Sequence, residues 1–189
     1  CSLCMSCVQT DKKKALIDDD FLVAEQHLSN QLKAVPEPTV YPRTIGKDGK
    51  LIATPKNDWT EGFYPGCLWY IYEHNREENW KQSAIKWTEA LEPMKKLTSH
   101  HDIGFLIYCS FGNAYRLTGK EEYKDVIIEA ANSLTTRFSE VTGCIKSWNY
   151  RKAWNGRDEW FYPVIIDNMM NLELLYFASK VTGDTRYAK

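Results

Sequence analysis

Apolar residues in the first part of the chain recur at helical spacing. Leu16, Phe21, Leu22, Ala24, His27, Leu28 and Leu32 follow a helical period and predict one amphipathic helix over 15–35. Pro36, Pro38, Pro42 and Pro55 then exclude a helix interior from 36 to 58. Asp48-Gly49 between short β-prone pieces predicts a small hairpin there. From Trp59 onward the text is helical and repeats itself. Trp59, Asp102 and Asp167 each open a run that ends at a turn residue: Asn75, Gly119 and Gly183. Asn and Gly tolerate the left-handed conformation that closes a helix.

An aromatic follows each turn, at Trp80, Tyr123 and Tyr187, and Thr118-Gly119-x-x-x-Tyr123 matches Thr182-Gly183-x-x-x-Tyr187 outright. Second helices start there, with apolar stripes Trp80, Ala84, Ile85, Trp87, Thr88, Leu91 and Tyr123, Val126, Ile127, Ala130, Ala131, Leu134. The unit is helix, tight turn, helix and a longer return, which predicts an all-α fold of helical hairpins closed into a toroid or stacked into a solenoid. Phe105-Leu106-Ile107-Tyr108-Cys109 is apolar nearly all round, as suits an inner helix sheathed by outer ones. Equivalent positions then place Trp59, Asp102 and Asp167 at the same end of the ring.

The chain has 189 residues, 43% of them hydrophobic, enough to bury a core. A net charge of -1 gives no sign of a nucleic-acid partner. Aromatics make up 13% of the chain. Such rings fill helical cores and also stack on the apolar faces of sugars. No stretch approaches the length of a membrane span. Both ends read as cut, so the chain is expected to be a fragment.

Cys1, Cys4 and Cys7 lie at regular spacing, yet the further Cys-Pro of a ferredoxin set does not follow. Residues 1–14 read instead as the remnant of a bacterial lipoprotein signal and tether, with small Ser6 before a lipidated Cys7. That implies a periplasmic or outer-membrane lipoprotein of a Gram-negative bacterium. Residues 15–189 read as part of one domain. Cys67, Cys109 and Cys144 stand singly in apolar text and are expected to be buried free thiols. The acids Asp18, Asp19 and Asp20 suit the first turns of their helix, where its dipole favours negative charge.

Two carboxylates and a Trp facing one cavity suit sugar chemistry, with an acid and a base acting on substrate and water. The competing reading is that Asp102 and Asp167 cap their helices. Burial among Ile165, Ile166, Met169 and Met170 is expected to raise the pKa of Asp167, and the helix N-terminus to oppose it. His100 and His101 are the only paired histidines. No zinc-protease, phosphate-loop, dinucleotide or nucleophile-elbow motif occurs.

Three stretches carry a family resemblance: Gly62-Phe63-Tyr64-Pro65-Gly66-Cys67-Leu68-Trp69-Tyr70, His101-Asp102-Ile103-Gly104-Phe105, and Tyr162-Pro163-Val164-Ile165-Ile166-Asp167-Asn168-Met169-Met170-Asn171-Leu172-Glu173. From about residue 20 onward the chain resembles glycoside hydrolase family 88, the unsaturated glucuronyl hydrolases. The resemblance implies the first half of an (α/α)6 toroid and a 4,5-unsaturated uronic acid at the non-reducing end of an oligosaccharide. By that analogy Asp167 protonates C4 and helps water add at C5, while Asp102 binds ring hydroxyls. Trp59 borders the sugar and Trp148 lines the same pocket. No metal or organic cofactor is implied, and the fragment alone is expected to be inactive. Rival readings are an unsaturated rhamnogalacturonyl hydrolase, a sugar epimerase on the same toroid, and a carbohydrate-binding toroid.

Overall fold

The structure, a computed structural model, describes the backbone of residues 2–189 and the side chains of residues 12–189. Cys7, the candidate lipidation site, lies outside the described side chains. Helix α1 runs unbroken over Ser2–Ala34, longer than the predicted segment, because no Gly or Pro interrupts the text before Pro36. Its inward stripe is narrower than predicted. Leu28 is buried and Phe21, Ala24 and Leu32 pack beside it, whereas Leu16 and Leu22 are exposed. Phe21 stacks on His74 at 4.0 Å, which explains that histidine as a packing residue.

Strands β1 (Tyr41–Ile45) and β2 (Leu51–Thr54) form the predicted antiparallel hairpin, turned at Gly49 with φ 78°. Tyr41 anchors it. The ring is fully buried against Trp87, and its hydroxyl donates to the Trp87 carbonyl at 3.0 Å.

The repeat becomes a row of helical hairpins. Helix α2 (Phe63–Asn75) pairs with α3 (Glu78–Glu89). The left-handed residue between them is Arg76 (φ 61°), one position after the predicted Asn75. A second inner helix begins as a π-helix, Gly104–Gly112, continues as α4 (Asn113–Thr118), and is followed by α5 (Glu121–Thr135). A 3-10 turn, Ile166–Met170, leads into α6 (Asn171–Thr182). Gly119 and Gly183 cap α4 and α6 in the left-handed region, as predicted. The preceding threonines behave alike: Thr118 and Thr182 donate to the carbonyls of Ala114 and Ala178, each at 2.7 Å.

The wide π-helix is not visible in the hydrophobic period. It lies against the start of α2, where Gly62 leaves no room: a Cβ there would sit 1.9 Å from the Phe105 carbonyl oxygen. Trp69, Trp87, Phe111 and Leu68 fill the core between inner and outer helices. Trp69 donates its indole N–H to Thr88 at 2.9 Å, so the buried ring is satisfied. Two short ribbons decorate the long return from α5 to α6: β3 (Phe138–Ser139) with β4 (Cys144–Ile145), and β5 (Arg151–Lys152) with β6 (Glu159–Trp160) complete the described strands. Cys67 is exposed and Cys109 and Cys144 are half-buried, so the expected burial of the three thiols is corrected. Single cysteines in apolar text here sit on helix and ribbon faces that the chain leaves open.

Candidate active site

Asp102 precedes the π-helix and is 8% exposed. Its carboxylate is held between two rings: Oδ2 lies 3.0 Å from His100 Nδ1, and Oδ1 lies 3.5 Å from His101 Nε2. It does not cap the helix, whose N-cap position is Ile103 without a side-chain bond. The 3-10 turn bearing Asp167 starts after Ile165, again without a side-chain cap. The capping explanation therefore fails for both acids.

His101 organises the region. It is fully buried, its backbone N–H donates to the Ser147 carbonyl at 3.1 Å, and its ring stands edge-on to Trp148 at 5.6 Å. Its Nδ1 lies 2.8 Å from Asn168 Oδ1. Asn168 also donates to the Ile145 carbonyl at 2.8 Å, and Asn171 accepts the Gly104 N–H at 2.9 Å. Thus the residue after Asp167 is bound to the residue before Asp102. The structure brings Asp102 and Trp148 together through His101 and carries the Asp167 segment to the same imidazole.

Trp59 lies one step away. It is 42% exposed, meets Phe105 of the π-helix edge-on at 5.6 Å, and has the Arg43 guanidinium over it at 5.9 Å. Arg43 is paired with Asp58 at 2.6 Å. Asp167 itself is exposed, as are Ile166 and Met169, so the expected burial among apolar neighbours is not found. The apolar text around it faces outward in this chain. A groove of about 390 Å³ runs from Gly104 and Met170 past Tyr108 and Glu173 to Tyr70 and Arg116.

Sequence reasoning missed several members of this region. Arg137 is buried and donates to the carbonyls of Thr98 and Lys146, bracing the loops that carry His100 and Trp148. Burial pulls its guanidinium below the ordinary value, and nearby Tyr162 and Asp102 push it back up. Glu61 is buried and accepts a hydrogen bond from Thr54 of the hairpin. Burial raises its carboxyl to about 7. The polar pair Asn168 and Asn171, spaced i, i+3 in an apolar run, was the one legible signal.

A row of helical hairpins with a histidine-flanked carboxylate at one end of its inner helices is part of an α/α toroid. No family model matches the chain. An unsaturated glucuronyl hydrolase of Formosa agariphila is 43% identical over 149 residues, covering 78% of this chain and 36% of its own length. The solved structure of an unsaturated glucuronyl hydrolase specific for heparin superposes with a TM-score of 0.81 at 37% identity, over 89% of this chain and 43% of that one. A mutant unsaturated glucuronyl hydrolase from Streptococcus agalactiae, complexed with dGlcA-GalNAc6S, superposes at 0.70 with 26% identity, over 91% and 39%. The chain belongs with the unsaturated glucuronyl hydrolases of glycoside hydrolase family 88. It spans well under half the length of these relatives.

Proposed function

We propose that this chain supplies the carboxylate side of an active site that removes a 4,5-unsaturated uronic acid from the non-reducing end of an oligosaccharide. One observation supports this reading most. The 2.8 Å contact between Asn168 and His101 ties the segments of Asp167 and Asp102 together at one end of the inner helices. Asp167 is the open carboxyl of the pair, free to reach a substrate. In this reading it gives a proton to C4 of the vinyl ether, and water then adds at C5 with its own proton returned to the carboxylate. The C5 hemiketal so formed opens and releases the remaining sugar. Asp102, fixed by its two histidines, accepts from ring hydroxyls, and Trp59 and Trp148 border the sugar.

The relatives support a choice of substrates to try: one is specific for heparin and another is complexed with dGlcA-GalNAc6S. Unsaturated heparin-type and chondroitin-type disaccharides are therefore the first to test. The assay is the loss of the ultraviolet absorbance of the conjugated uronate, with full-length enzyme, its Asp167→Asn variant and the 189-residue chain. Hydration by the full-length enzyme and none by the variant is expected. Full activity in Asp167→Asn, or in the 189-residue chain alone, overturns the assignment. We also propose Cys7 as a lipid attachment point and membrane tether, supported by sequence alone. Mass spectrometry finding an unmodified residue 7 with chain still attached before it rejects that proposal.

A further inference from the structure

The proton on His101 can be located from its neighbours. Asn168 Nδ2 donates to the Ile145 carbonyl at 2.8 Å. Turning the amide over would set its oxygen against that carbonyl oxygen, two acceptors in contact. Asn171 Nδ2, 3.3 Å from Asn168 Oδ1, is a second donor that only an oxygen satisfies. Asn168 therefore presents its oxygen to His101, and Nδ1, 2.8 Å away, is the donor. On the opposite edge of the fully buried ring, Nε2 has no hydrogen-bond partner and lies 3.5 Å from Asp102 Oδ1.

We propose that Asn168 is a positioning residue of this site: it holds the His101 proton on Nδ1 and so aims Nε2, with its lone pair, at the carboxylate of Asp102. Two acceptors that face each other in a buried place repel, and one proton on either atom turns the contact into a hydrogen bond. The far side of Asp102 is similar. His100 Nδ1 lies 3.0 Å from Oδ2 and also takes the Asp102 backbone N–H at 3.2 Å. Asp102 is thus set between two ring nitrogens, His100 Nδ1 and His101 Nε2. The tautomer stands on geometry alone, and only its use in catalysis rests on the hydrolase reading above.

The test is a two-bond proton–nitrogen correlation spectrum of the chain with labelled histidine, His101 being assigned by the resonance lost in His101→Gln. The expected result is a protonated Nδ1. Asn168→Leu keeps the volume and removes the acceptor, and is expected to lose that signature in favour of a protonated Nε2. A bare Nδ1 in the unsubstituted chain overturns the proposal whether or not the leucine variant folds. An unchanged protonated Nδ1 in folded Asn168→Leu overturns it equally, because the asparagine would then hold the loop without setting the tautomer. Neither result bears on which sugar is the substrate.

Discussion

Asp102 and Asp167 hold the same place in successive hairpins and meet opposite surroundings. Asp102 is 8% exposed and wedged between His100 and His101. Asp167 is exposed beside Ile166, which is itself 81% exposed. The residue that follows each acid makes the difference. After Asp102 comes Ile103, fully buried in the core. After Asp167 comes Asn168, which turns inward to bond His101 and Ile145 and leaves its neighbour facing out. Equivalent register therefore fixes where along the ring an acid lies, and the next side chain fixes whether it is braced or open. A braced acid suits holding a substrate, and an open one suits exchanging protons with it.

The largest effect that would sharpen this contrast is kinetic. In the full-length enzyme, Asp167→Asn should lower turnover about 10²–10⁴-fold, the usual contribution of a positioned acid–base group. In the same variant of the 189-residue chain, denaturant melting should move by no more than about 0.5 kcal/mol, as for an exposed side chain. A larger stability loss would mean that Asp167 is braced after all.

Glu61 extends the comparison to a third carboxylate, buried with its hydroxyl donor Thr54 and close to Arg43, Asp58 and Thr60. Its folded pKa of about 7 lies above the ordinary carboxyl value of 4.5. Between those values the folded chain binds more protons than the unfolded chain, so stability falls as pH rises through this window. The loss should reach about 3 kcal/mol, and Glu61→Gln should flatten the profile. A stability that rises over the same window would contradict the burial of this acid.

Asp102→Ala should cost about 2 kcal/mol, since it empties a nearly buried site between two histidine rings. Asp167→Ala, measured alongside by urea unfolding, is the control expected to be near neutral. Equal costs would dissolve the distinction. The smallest effect is at Trp59. Trp59→Ala in the full-length enzyme should raise KM about tenfold with a lesser change in kcat, the loss of one ring stacked on sugar.

Local signals were readable and distant ones were not. The Asp48-Gly49 hairpin and the left-handed caps at Gly119 and Gly183 depend on residues within a few positions, and each formed where the pattern placed it. The paired runs from Trp59, Asp102 and Asp167 gave the hairpin architecture for the same reason. The π-helix escaped because its apolar spacing does not mark a wider turn, and the close approach of its Phe105 and Leu106 carbonyls to Gly62 joins segments far apart in the chain. Arg137 and Glu61 escaped because their partners lie on other elements. The predicted burial of Asp167 went wrong in a specific way: apolar neighbours such as Ile166 and Met169 were taken to cover it, yet they point away from this chain's core.

The bond between His101 and Asn168 joins residues 67 apart in the chain. Closing a loop of that length costs roughly 4 kcal/mol of chain entropy before any contact repays it. The α2–α3 hairpin and the α4–α5 turn close short loops and can form early. The joint at the site must wait for the whole return from α5 to α6 to come home. The site is therefore expected to assemble after those hairpins and to open before them. In native-state hydrogen exchange, the Gly104 amide, held only by Asn171, should exchange ahead of the inner-helix amides around Leu68 and Trp69.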